Sequence, residues 1–206
     1  WQMLDAPTGI QSTETAQNSD LNNLYSLIYD GTNLHVNQNW NGLYKVIAQA
    51  NLVLDKVPGI NPMDNAQKKR ILGEASFIRA WAYFYLVRLW GDVPLITKPV
   101  TSPNDPNFAP SRTPQEQVYK LIVDDLAAAE AAGLPFMDAS GRVSAAAIKS
   151  ELAKVYLTMA GQPLNKGAAY YKLAADKAKA ADAAKQSLYI FFSQPGNFIA
   201  ANHTGQ

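Results

Sequence analysis

Residues 73–95 read GEASFIRAWAYFYLVRLWGDVPL, and this stretch decides the fold. Apolar side chains recur along one face of it at steps of three and four residues, the period of a helix. The opposite face is also apolar, through Phe77, Trp81 and Phe84. A helix that is apolar on nearly all sides is normally buried on several of them. We therefore predict that residues 64–91 form the longest and most buried helix, with Trp81 and Phe84 largely inaccessible to solvent.

Both ends of this helix carry recognisable signals. Asp64 can cap the first turn, and Gln67, three residues later, can complete a capping box. Gly91 suits the position just after a helix, and Pro94 cannot continue one. These residues predict a helix that begins and ends abruptly.

The chain before residue 64 shows a second helical pattern. It begins at Trp40, with Asn39 as the predicted N-cap, and it ends before Pro58. A short helix is predicted from Leu21 through Ile28, ending at Asp30 and Gly31. The asparagine-rich stretch 32–39 is predicted to be a loop.

The chain after the central helix begins with an extended segment. Residues 97–112 contain four prolines and are predicted to cross the surface without regular structure. Thr113 is the predicted cap of the next helix, with Pro114 at its first position and Glu116 completing a capping box. That helix is predicted to end before Gly133.

Two further helices are predicted over residues 143–161 and 166–185. Tyr156 and Tyr171 match positions of the tetratricopeptide repeat, a helical hairpin with small residues where the helices cross. The aromatic stretch 188–192 is consistent with either a strand or a buried turn. Together the segments predict an all-α fold of antiparallel helical hairpins of the tetratricopeptide-repeat type, with few or no strands.

The composition is that of a globular protein. Among 206 residues, 48% are hydrophobic and 17% are charged, and 18 basic residues against 17 acidic ones give a net charge of +1. A nucleic-acid-binding protein usually has an excess of basic residues, and this chain has no such excess. We therefore expect no nucleic-acid partner. The absence of cysteine excludes disulfides and thiolate chemistry.

The ends of the sequence indicate a piece of a longer polypeptide. The chain opens at Trp1 without the basic and apolar regions of a signal peptide. We expect residues 1–206 to form a single domain. Within it, residues 1–39 are a loop-rich, possible ligand region, residues 40–187 are helical repeats, and residues 188–206 begin the remainder.

The sequence contains no pattern typical of an enzyme or a metal site. The two histidines, His35 and His203, are far apart and have no histidine neighbours at helical spacing. Asp124 and Asp125 are adjacent, so they point to different sides of a helix and cannot face each other across a cleft, as a glycosidase requires. We expect no catalytic residue, no metal and no cofactor.

Charged residues inside the apolar segments are predicted to be structural. An unpaired buried charge is costly, so Glu74 and Arg79 should each have a partner inside the protein. Arg70, one helical turn from Glu74, is the predicted partner of that carboxylate. Asp125 lies on the apolar side of its helix and should accept a structural hydrogen bond.

Aromatic and amide residues cluster in the segments before Trp40. An aromatic ring can stack on the C–H face of a sugar while amides bond its hydroxyl groups, so this cluster predicts a sugar site. A polar connecting loop with no ligand is the alternative that composition leaves open. The candidate ligand-binding residues are Trp1, Tyr29, Asn33, His35, Asn37 and Asn39, with Gln38 beside them.

Several linked motifs resemble the N-terminal part of the SusD/RagB family, over roughly residues 20–185. They occur in the family's order and spacing: Trp40-x-x-Leu43-Tyr44-x-x-Ile47-x-x-Ala50-Asn51, Gly73-Glu74-Ala75-x-Phe77-x-Arg79-Ala80, Trp90-Gly91-Asp92-Val93-Pro94-Leu95, Arg112-Thr113-Pro114, Gly141-Arg142-Val143 and Leu152-Ala153-Lys154-Val155-Tyr156-Leu157.

This resemblance implies a non-enzymatic protein, lipid-anchored on the outer face of the outer membrane. It implies four tetratricopeptide-like helical pairs and a partnership with a TonB-dependent, SusC-like transporter, to which captured oligosaccharide is delivered. The family's anchoring cysteine, signal peptide and long C-terminal part are absent from this sequence. The alternative is a helical-repeat scaffold or a peptide-binding, RagB-like protein that binds no glycan.

Overall fold

A computed structural model describes residues 5–9, 18–102, 104–105 and 108–182. The described residues form mainly α-helices, which we number along the chain. They are α1 (Ser19–Tyr25), α2 (Leu34–Lys56), α3 (Asn65–Trp90), α4 (Gln115–Ala131), α5 (Ala145–Ala160) and α6 (Ala168–Asp182). Short 3-10 turns occur at Ala6–Thr8 and Val57–Gly59. Two short strands, β1 (Val93–Pro94) and β2 (Arg112–Thr113), pair antiparallel, with Val93 opposite Thr113.

The chain divides into two compact units, Trp1–Val46 and Ile47–Gln206. In the first unit, α1 contacts the turn at Ala6–Thr8. In the second unit, α3 packs along α4, α4 contacts α5, and α5 and α6 form a closely packed hairpin. The predicted all-α fold of helical hairpins is confirmed. No helix among the described residues is long and apolar enough to cross a membrane.

Helix α3 is the longest of the described helices, with 26 residues, and it carries much of the buried core. Asp64 caps it by accepting a hydrogen bond from the Gln67 backbone N–H at 2.9 Å. Gly91 ends it with a φ of 70°, a conformation that glycine adopts without strain. Phe84 is almost completely buried, as predicted. Trp81 is only half-buried, because its face of α3 is partly uncovered in the described residues.

A glycine allows α3 and α4 to approach closely. A Cβ atom added at Gly73 would lie 2.5 Å from the Cβ of Ala132, just beyond the end of α4. Carbon atoms do not approach to that distance without displacement. Gly73 therefore sets the spacing between the two helices at this crossing.

The start of α2 differs from the prediction. The helix begins at Leu34 rather than at Trp40, so residues 34–39 are helical and not a loop. Asn33 supplies the cap, because its Oδ1 accepts from the backbone N–H groups of His35 at 3.0 Å and Val36 at 3.4 Å. Asn39, the predicted cap, lies inside the helix and donates its side-chain amide to the His35 carbonyl at 2.9 Å.

The start of α4 also differs from the prediction. Thr113 does not cap the helix, because it belongs to β2 and pairs with Val93. Pro114 occupies the N-cap position and makes no side-chain cap hydrogen bond. The first helical N–H, that of Gln115, instead bonds Oδ1 of Asp92 at 2.9 Å. A tertiary contact thus replaces the predicted local capping box.

The remaining boundaries agree with the predictions to within a few residues. The short first helix ends at Tyr25 rather than at Asp30 and Gly31, and Leu27 has a left-handed φ of 56° that no helix continues through. Ser144 caps α5 by accepting from the Ala147 N–H at 3.2 Å. The description of α6 ends at Asp182, so the aromatic stretch 188–192 lies outside the described residues.

Candidate functional site

Arg79 and Asp125 form a buried ion pair between α3 and α4. Arg79 Nε donates to Oδ2 of Asp125 and Nη2 donates to Oδ1, both at 2.7 Å, so the contact is bidentate. Arg79 is 9% exposed and Asp125 is 6% exposed. The predictions of an internal partner for Arg79 and of a structural hydrogen bond for Asp125 are confirmed.

The pair continues into a polar network in the second unit. Arg79 Nη1 donates to Asn51 Oδ1 at 2.8 Å, and the Asn51 amide donates to the Ile96 carbonyl at 2.9 Å. The Tyr83 hydroxyl donates to the same carbonyl at 2.9 Å and accepts from the Ile96 N–H at 2.7 Å. Burial raises the pKa of Tyr83 to about 12. These groups bond one another, which assigns them to structure rather than to a ligand.

Glu74 is the centre of a second cluster. Its carboxylate accepts from Arg70 Nε at 3.2 Å and from Arg142 at 2.9 and 2.5 Å. Arg70 also contacts Asp138 at 2.5 Å. Burial would raise the pKa of Glu74, but the hydrogen bonds from Arg142 and Arg70 outweigh it and hold the pKa below its ordinary value. The predicted pairing with Arg70 is confirmed, and Arg142 is a partner that helical spacing could not reveal.

The predicted ligand-binding residues of the first unit fall into two groups. Tyr29, 39% exposed, lies in the exposed segment 26–32 between α1 and α2, beside the exposed Leu27 and Ile28. Asn37 and Asn39 are exposed on the first turns of α2, not in a loop. Their side-chain N–H groups donate to backbone carbonyls, that of Asn37 to Gly31 at 2.7 Å.

The second group is buried. Asn33 caps α2 and also donates its amide to the Asp20 carbonyl at 2.8 Å, so its polar atoms have partners within the fold. His35 is 5% exposed, and neither of its ring nitrogens has a hydrogen-bond partner among the residues described. Trp1 lies outside the described residues. A ligand role for these six residues remains a prediction.

A groove that the sequence did not reveal lies in the second unit, where α4 faces the turn between α5 and α6. Its volume is about 440 Å³. The lining residues from α4 repeat at helical spacing, which is a visible signal, but the α5–α6 turn lies far away in the sequence. The groove is lined by Glu116, Gln117, Lys120, Val123, Asp124, Met159, Lys166 and Tyr170.

The described residues contain no group of three or more histidines or carboxylates able to hold a metal ion.

Comparison with known proteins identifies relatives over most of the chain. The model of a SusD-like family, described as "Starch-binding associating with outer membrane", matches residues 6–157. A second model, of a family of unknown function, matches residues 153–206. A SusD-like protein of Bacteroides ovatus is 36% identical over 124 residues, which are 59% of this chain and 22% of the relative.

Solved structures show the same relationship. A SusD superfamily protein of Parabacteroides distasonis superposes with a TM-score of 0.81 and 35% identity, covering 88% of this chain and 38% of that chain. A laminarin-binding SusD-like protein superposes with a TM-score of 0.71 and 27% identity, covering 82% of this chain and 34% of that chain. A structure with xylogluco-oligosaccharide superposes with a TM-score of 0.69 and 29% identity, covering 81% of this chain and 33% of that chain.

The chain therefore spans between about a fifth and two-fifths of the length of these relatives. The matched family model covers residues 6–157, which is well over half of the 206 residues of the chain. The chain belongs to the SusD-like family.

Proposed function

We propose that this chain is part of a cell-surface protein that binds an oligosaccharide and delivers it to a TonB-dependent, SusC-like transporter of the outer membrane. One observation carries the proposal. Two structures that align with more than four-fifths of the chain are, by their descriptions, a laminarin-binding protein and a structure with xylogluco-oligosaccharide. The description of the matched family, starch-binding and associating with the outer membrane, supports it.

The exposed segment 26–32 supports a binding site in the first unit. It presents the Tyr29 ring next to two exposed aliphatic side chains, Leu27 and Ile28. The exposed amides of Asn37 and Asn39 follow on the first turns of α2, and their oxygen atoms remain able to accept hydrogen bonds from hydroxyl groups. Loops on a rigid helical scaffold are a frequent place for ligand recognition.

The test is to replace Tyr29 and to measure sugar affinity and melting temperature together. Stacking of one ring is worth on the order of 1–2 kcal/mol, so Tyr29→Ala should weaken binding about tenfold at unchanged Tm. Laminarihexaose, maltohexaose and a xyloglucan heptasaccharide serve as probes in titration calorimetry. Trp1→Ala is expected to behave in the same way.

Two variants control this experiment. Tyr29→Phe keeps the ring and should keep most of the affinity. Trp40→Ala removes a half-buried ring that contacts Tyr44 at 4.9 Å between centroids, so it should lower stability first. Unchanged affinity in both Tyr29→Ala and Trp1→Ala would place the site elsewhere in the protein.

We propose further that the protein binds without turnover. The sugar recovered after long incubation should be unaltered in chain length, as measured by chromatography. Release of shorter products by the purified protein would contradict this. Binding of peptides with no response to any of the three sugars would favour a peptide-binding protein instead.

A further inference from the structure

The groove between α4 and the α5–α6 turn has an apolar floor and a charged rim. Met159, almost fully buried, and the half-buried Val123 and Tyr170 form its apolar part. Its volume of about 440 Å³ lies within the range of small-molecule sites, about 300–1,000 Å³. The described fold leaves this space open to solvent next to an aromatic ring.

The α5–α6 turn holds its side of the groove in place. The Lys166 N–H donates to the Met159 carbonyl and the Gly167 N–H to the Ala160 carbonyl, both at 3.0 Å. The Tyr170 and Tyr156 rings make a T-shaped contact at 5.9 Å between centroids. A ring and a turn that are already positioned lose little conformational entropy when a ligand binds.

The charges of the rim cancel in pairs. Lys166 donates a hydrogen bond to Glu116 across the groove, which lowers the pKa of Glu116 and raises the pKa of Lys166. Lys120 bonds Asp124 at 2.5 Å along α4. Two ammonium and two carboxylate groups leave no net charge, so the rim does not favour an ionic ligand of either sign.

The same groups suit hydroxyl-rich ligands. A sugar hydroxyl both donates and accepts, and the rim supplies carboxylate acceptors, ammonium donors and the Gln117 amide, which does both. The Tyr170 ring offers a face on which the apolar side of a sugar ring can stack.

We propose that this groove is a second carbohydrate subsite, in the second unit, that takes a neutral oligosaccharide. The inference rests on the proposed function, because it assigns a further contact surface to the same class of ligand. It predicts that sugar contacts are made by α4 and by the α5–α6 turn in addition to segment 26–32.

The experiment follows backbone amide signals by NMR during titration with laminarihexaose, maltohexaose and a xyloglucan heptasaccharide. Signals of Lys166, Gly167 and Tyr170 should shift with at least one sugar. Tyr170→Ala should lower the sugar affinity obtained from these shifts about tenfold. Tyr171→Ala is the matched control, since that neighbouring tyrosine is 50% exposed, does not line the groove and should leave the response unchanged.

A further variant protects the test against misfolding. Tyr170→Ala also removes a ring contact with Tyr156, so Gln117→Ala, a change at the rim, should weaken the response while the spectrum stays that of the folded protein. An unchanged response in Gln117→Ala and Tyr170→Ala, both folded, would overturn the subsite.

The other outcomes separate the two proposals. Shifts confined to segment 26–32 would overturn the groove and leave the proposed function standing. Shifts in neither region with any of the three sugars would count against both. A groove response to a mixed tetrapeptide pool but not to the sugars would overturn the assignment to carbohydrate.

Discussion

Arg79 and Asp125 are opposite charges buried between two helices. The contribution of each to the stability of the fold depends on the presence of the other. The bidentate contact and the bonds of Arg79 to Asn51 and to the Thr97 carbonyl at 3.3 Å leave the guanidinium well coordinated. Removing one partner of a buried pair leaves an uncompensated charge, which costs more than the pair itself contributes. The loss of stability measured for a single substitution therefore reports the charge left unpaired, and not the net contribution of the ion pair.

We expect Asp125→Asn to lower the free energy of unfolding by about 3 kcal/mol, because it leaves the Arg79 charge buried without a counter-charge. Chemical denaturation measures this. Asp124→Asn is the matched control one residue away, since Asp124 pairs with Lys120 and its side chain is 57% exposed. Its effect should stay within about 0.5 kcal/mol. Equal losses in the two variants would contradict the structural role of the buried pair.

The contact between α3 and α4 depends on one small residue. At Gly73 the two helices are so close that a single methyl group would overlap Ala132. Glycine normally lowers the stability of a helix interior by about 0.5–1 kcal/mol relative to alanine, so its presence inside α3 runs against helix propensity. Close packing between the helices explains the choice.

Gly73→Ala should therefore lower the free energy of unfolding by about 1–3 kcal/mol through overpacking, despite the better helix propensity of alanine. Gly42→Ala is the control, because Gly42 lies inside α2 with nothing within 4 Å of an added Cβ. That change should stabilise by about 0.5–1 kcal/mol. Adding Ala132→Gly to Gly73→Ala should restore part of the loss. A stabilising Gly73→Ala would show that the helices separate without cost.

Two partly buried carboxylates link the elements of the second unit. Glu74 of α3 bonds Arg142, which lies between α4 and α5. Glu130 of α4 accepts from Lys149 of α5 and from Lys177 of α6, both at 2.5 Å. Burial would raise the pKa of Glu130, but the two lysine hydrogen bonds outweigh it, and the pKa lies below its ordinary value.

This arrangement predicts loss of stability in acid. The pKa values of Glu74 and Glu130 are lower in the folded chain than in the unfolded chain, where the ordinary value is 4.5. As the pH falls, the unfolded chain therefore binds protons before the folded chain does. Their contribution is complete above pH 4.5 and is lost as the pH falls through the folded values. Melting temperature should decline over that window.

The variant Glu130→Gln tests the origin of this decline. It should lower stability by about 1–2 kcal/mol at pH 7, where the charged hydrogen bonds are lost, and its difference from the parent should shrink toward pH 3. A difference that is the same at both pH values would show that the carboxylate charge of Glu130 is not involved.

Local patterns along the chain were sufficient to predict the existence of the helices, the burial of Phe84 and the family. Periodicity, the Asp64 cap and Gly91 act over one or two turns, so residues near in sequence define α3 without help from the rest. The need of a buried charge for a partner likewise predicted the pairing of Arg79 before its partner was known.

Long-range packing decided the features that local patterns missed. Asp92 rather than Thr113 satisfies the start of α4, because β1 brings that carboxylate to the Gln115 N–H across 23 residues. The groove depends on Lys166 meeting Glu116 across 50 residues. The burial of His35 is likewise a result of tertiary packing. Side chains brought together by the fold carry no signal in neighbouring positions, and for that reason periodicity predicts the elements but not the surfaces they form.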